Sequence, residues 1–95
     1  MLQLYFCGLQ YSTSQSENKR NLIEYGKQLY DLGQFSEAVK VLQQAANRYQ
    51  NNGQNLQQVI ALSNLSLAYQ QLSLWEKAET VINNSLDILN NLENS

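Results

Sequence analysis

Catalysis needs a nucleophile, a proton carrier, a metal cage or a phosphate cradle, and this chain holds only fragments of the first two. Cys7 is its single thiol, and there is no histidine to activate it. Between Phe6 and Leu9, Cys7 reads as a small hydrophobe. The lack of histidine also removes His-based triads, His metal sites and a physiological-pH switch. Glu76 and Glu79 stand at i, i+3, so a helix would put both carboxylates on one face, but Glu76 is placed to cap that helix. Asp31, Glu37, Asp87 and Glu93 are scattered on faces expected to be solvated. There is no glycine-rich phosphate loop and no Cys/His metal spacing. Asn64 and Asn83 begin N-x-S sequons, yet both fall inside expected helices, where the pattern reads as chance. The chain is expected to be non-enzymatic, with no catalytic, cofactor or metal site.

Composition narrows the class further. Ninety-five residues make one small domain, and a chain of this size builds a thin core. Six Lys and Arg against eight Asp and Glu give a net charge of −2, too little positive charge for a nucleic-acid partner. Met1–Leu9 reads MLQLYFCGL, apolar but without the basic leader of a secretory signal, and too short to span a membrane. These features predict a cytoplasmic chain. Residues 1–13 are expected either to pack on the first helix or to be the remnant of a longer parent. Thirteen Gln and twelve Asn are the compositional oddity. They alternate with well-spaced apolar residues, so they are expected on solvated helix faces rather than in a low-complexity tract.

The elements that would position any site are helices. Proline is absent, and apolar residues recur at spacings of three and four. Ser14 and Glu17 have capping-box spacing. Leu22, Tyr25, Leu29 and Leu32 then form one stripe, and Gly33 is placed to end the helix. A second stripe runs Phe35, Ala38, Leu42, Ala45 and Tyr49 before the turn Asn51-Asn52-Gly53. A third runs Leu62, Leu65, Tyr69 and Leu72, with Asn55 and Gln58 as its capping pair. Ser73 and Glu76 suggest the cap of a fourth helix, whose buried face is expected to hold Trp75, Ala78, Ile82, Ser85, Leu89 and Leu92. No segment alternates with strand period, and the fold class is all-α.

Shifting the chain by 40 residues superposes its halves. Leu22 falls on Leu62, Leu32 on Leu72, Ala38 on Ala78 and Val41 on Val81. Gly26 pairs with Ser66, Phe35 with Trp75, Leu42 with Ile82 and Ala45 with Ser85. The runs Leu29-x-x-x-Gly33-x-Phe35-x-x-Ala38, Leu65-Ser66-x-x-Tyr69 and Trp75-x-x-Ala78 resemble the tetratricopeptide repeat. The resemblance covers roughly residues 17–93 and implies two helix–turn–helix units, 14–53 and 54–93, in a short right-handed α-solenoid. The usual period is about 34. A period of 40, with the run Leu62–Tyr69, resembles the kinesin-light-chain-like branch, and the Gln/Asn-rich texture resembles repeats preceding CHAT peptidase domains in cyanobacterial proteins.

The resemblance implies a protein-interaction module that holds a peptide or partner helix on its concave face. The implied contact positions are Arg20, Ile23, Glu24, Lys27, Tyr30 and Asp31 on the first helix. On the third they are Ile60, Ser63, Asn64, Leu67, Gln70 and Gln71. Asn64 matches the family's groove asparagine, able to bond a donor and an acceptor of a partner backbone; its counterpart is Glu24. Two alternatives stand beside this reading. One is homo-oligomerisation through the last helix, which is apolar nearly all round and has no capping helix after it. The other is a truncated sensing arm of a larger CHAT-type peptidase protein.

Overall fold

The computed structural model describes residues 21–94, and these form four α-helices: α1 Leu22–Asp31, α2 Phe35–Asn51, α3 Asn55–Gln71 and α4 Trp75–Asn94. There is no strand among the described residues. The expected Ser14–Glu17 cap, the 1–13 segment, Cys7 and Arg20 lie outside them.

The three joints are copies of one device. Gly33, Gly53 and Ser73 all have positive φ, at 79°, 71° and 61°. In each joint the next residue, Gln34, Gln54 or Leu74, donates its N–H back to the carbonyl of Leu29, Tyr49 or Tyr69 at 2.9 Å. This is the Schellman closure, which satisfies carbonyls orphaned at a helix end. The same residue's carbonyl then accepts the N–H of Ala38, Gln58 or Ala78 and opens the following helix. One residue thus ends one helix and starts the next. Seventeen helical residues in α2 or α3 plus a three-residue joint make 20, and two such units make the 40-residue period.

This economy corrects the expected caps. α3 begins at Asn55 with Gln54 as its N-cap and no side-chain cap bond, so Asn55 and Gln58 form no capping box. Ser73 lies two residues before α4 and occupies the left-handed position instead. A side chain there is strained by about 1–2 kcal/mol, whereas glycine accepts it freely. Ser73→Gly is expected to stabilise the fold by about 0.5–1 kcal/mol net of the added freedom of the unfolded chain. A thermal melt should show a rise of a few degrees; a fall would mean that the Ser73 side chain contributes more than its backbone costs.

α3 is central, packing on α1, α2 and α4. The core joins Leu22 and Leu29, Ala38 to Ala46 on the inner face of α2, Ala61, Leu62, Leu65 and Ala68, and Val81. The small residues of the repeat are all buried: Gly26, Ser66, Ala38, Ala78, Ala45 and Ser85. Gly26 receives Leu42 of α2 against its backbone. At the equivalent place in the second hairpin, the Ser66 hydroxyl donates to the Ala78 carbonyl at 3.0 Å. Both hairpins reach close approach, one by deleting a side chain and the other by hydrogen-bonding it.

Several expected core positions lie outside. Tyr25 is exposed because the buried line on α1 runs Leu22–Gly26–Leu29, one residue to its side. Leu32 is exposed because it is the C-cap, past the last helical residue. Trp75 is 62% exposed. Its counterpart Phe35 is half-buried and packs edge-on against Tyr30, ring centroids 5.2 Å apart, but forty residues on from Tyr30 stands Gln70, which has no ring to offer. On α4 only Ala78, Val81 and Ser85 are buried. Ile82 and Leu89 are half-buried and Leu92 is exposed, since no described helix covers that side.

Candidate partner-binding surface

The first helices of the two hairpins, α1 and α3, lie side by side and carry the positions expected to meet a partner. At their C-terminal ends the Gln71 amide donates to the Tyr30 hydroxyl at 3.1 Å, which joins the two halves of the surface. Glu24, Lys27 and Asp31 are exposed on α1. Ile23 and Tyr30 are half-buried and pack on the core, so they are wall rather than free anchors. On α3, Ser63, Asn64 and Gln70 are half-buried.

The polar side chains of α3 are partly spent within the helix. Asn64 Nδ2 donates to the Ile60 carbonyl at 2.9 Å, and Ser63 Oγ donates to the Val59 carbonyl at 2.9 Å. Gln70 Nε2 donates to Ser66 Oγ at 3.5 Å. Asn64 keeps Oδ1 and one N–H for a partner.

The apolar side chains are not spent. Ile60 and Leu67 are 48% and 46% exposed, and Leu56 is 59% exposed. At 100° per residue these three fall within about 40° of one line, opposite Leu65, over a length of about 16 Å. Leu56 was not among the expected contact residues, although its spacing of four from Ile60 and eleven from Leu67 carried the signal. α3 thus carries aliphatic groups on two opposite sides, one filling the core and the other exposed.

A family model, described as the tetratricopeptide repeat, matches residues 20–91. That span takes in all four helices except the last three residues of α4. The chain belongs to the tetratricopeptide-repeat family. No curated protein and no solved structure matches it significantly. Tetratricopeptide repeats generally mediate protein–protein interaction and are typically non-enzymatic scaffolds. Among the described residues, no group of three or more His, Cys, Asp or Glu could hold a metal ion, and no helix is long and apolar enough to cross a membrane. Within this tetratricopeptide-repeat unit the Lys40–Glu37 ion pair, at 3.5 Å, is exposed and local to α2, and so lies on neither α1 nor α3.

Proposed function

We propose that this chain binds a partner protein through the α1–α3 surface, with the Leu56–Ile60–Leu67 ridge as its apolar anchor. The observation that carries this is the exposure of three large aliphatic groups on one line of the central helix. Such a ridge suits an amphipathic partner helix or an extended peptide, with Asn64 and Gln71 supplying amide pairing at its side. Lys27 is offset by Glu24 and Asp31, and the α3 half of the surface has no charge. Electrostatic steering should therefore be weak. The 40-residue period and the Leu62–Tyr69 run support placement in the kinesin-light-chain-like branch; the amide-rich texture is the support for kinship with the arrays that precede CHAT peptidases.

The expected result is loss of binding in Leu67→Arg, about tenfold or more from burying an unpaired charge at the anchor, and little change between low and high salt. The measurement is titration of a captured partner at two ionic strengths. Full binding by Leu67→Arg, or a steep salt dependence, would move the site elsewhere.

A second reading is homo-oligomerisation through α4, supported by the exposure of Trp75, Leu86 and Leu92 on that helix. Light scattering separates the two: a monodisperse monomer removes self-assembly.

A further inference from the structure

The side of the molecule away from the α1–α3 surface holds a groove of about 550 Å³ between α2, α3 and α4. Each helix contributes one stripe at helical spacing. α2 gives Gln43, Asn47 and Gln50 above Ala46; α3 gives Asn55 and Gln58 above Leu62; α4 gives Asn84 and Asp87 beside Ile88. On α3 this stripe lies about 150° around the helix from the Ile60–Leu67 ridge, so the groove and the proposed partner surface are separate places.

The groove floor is apolar, with Ala46 and Leu62 buried and Ile88 half-buried. Among the described residues its walls are six side-chain amides and one carboxylate, with no lysine, arginine or aromatic ring. Gln43 donates to Asn47 Oδ1 at 3.1 Å. The amides of Gln50, Asn55, Gln58 and Asn84 make no side-chain hydrogen bond among the described residues, and the Asp87 carboxylate has no ion-pair partner there.

We propose that this groove is a second binding site, for a short extended peptide segment bearing a lysine or arginine. A side-chain amide both donates and accepts, which is the bonding an extended backbone presents on each edge. The α2 stripe from Gln43 to Gln50 is about 10 Å long, the length of about three extended residues. Asp87 sets the charge: it is the one charged side chain among the described lining residues, so it repels an acidic ligand and gives a basic side chain a partner. A neutral sugar would find the amides, but no aromatic ring to cover the apolar face of its ring. The groove also gives the unusual Gln and Asn content a place where amides, and not the more soluble Glu and Lys, are the useful choice.

The test uses the uniformly ¹⁵N-labelled full chain, whose Gln and Asn side-chain NH₂ groups report directly. The probe is a short acetylated and amidated peptide of alternating alanine and lysine, run beside its glutamate counterpart and maltotriose. The lysine peptide should shift the NH₂ signals of Gln50, Asn55, Gln58 and Asn84 in a saturable way. Asp87→Asn should weaken it by up to about fivefold, and Gln58→Leu should weaken it without changing the melting behaviour. Leu67→Arg should leave it intact, so this site and the ridge fail independently. No shift at millimolar peptide would overturn the proposal. So would equal shifts from the glutamate peptide or maltotriose, or shifts confined to Ser63, Asn64 and Leu67.

Discussion

Gly26→Leu is expected to lower the melting temperature by about 10–20 °C. A β-carbon built on Gly26 would stand 2.5 Å from Leu42 Cδ2 and 2.6 Å from its Cγ. Contact at Cγ, near the base of the side chain, cannot be relieved by turning a methyl group aside. Leu42 is itself fully buried, so it has nowhere to swing. Overpacking of this kind costs about 1–3 kcal/mol, and a whole leucine belongs at the upper end or beyond it. The better helix propensity of leucine returns about 1 kcal/mol at most. Total stability for a domain of this size is about 5–14 kcal/mol, and each kcal/mol moves the midpoint by about 4–8 °C. Ala38→Leu should behave in the same way, since Ala38 is fully enclosed at the start of α2. The decisive control is Leu42→Ala in the Gly26→Leu background. It should recover part of the loss, because the two sites share one clash and cannot be additive. Unchanged melting in Gly26→Leu would mean that α1 and α2 do not approach at this point.

Leu65→Ala should cost about 2–5 kcal/mol, and Leu67→Ala no more than about 0.5 kcal/mol. Both are leucines in the middle of α3, two residues apart, so helix propensity changes equally. Leu65 is wholly buried at the centre of the core, and its truncation leaves a cavity that α1, α2 and α4 cannot all close. Leu67 points away from that core and loses only surface already half in water. Urea unfolding should show a large fall in midpoint for the first variant at an unchanged slope, and none for the second. Similar costs at the two positions would mean that the ridge is core and that no apolar anchor faces a partner.

The sequence by itself determined the helices, two of their three joints and the repeat. Apolar spacing of three and four is a local property, so the four helices could be read without knowing what they pack against. Gly33 and Gly53 marked their turns because only glycine takes a left-handed φ at little cost, and the repeat pairing singled out the small residues at 26, 38, 45, 66, 78 and 85, all of which are buried. The tertiary structure decided what periodicity cannot contain. Trp75 was expected inside because Phe35 is its repeat partner, but burial depends on the neighbour, and Tyr30 has become Gln70. Ser73 was expected to cap α4 because its hydroxyl stands three residues before Glu76, but the shared joint required a left-handed residue there and took it. On α3 the spacing put Leu65 in the core stripe and the family resemblance set Ile60 and Leu67 apart from it, but neither singled out Leu56. Three neighbouring helices had to settle around α3 before Leu56 joined Ile60 and Leu67 on the exposed side, because exposure is fixed by where the other chain segments stop.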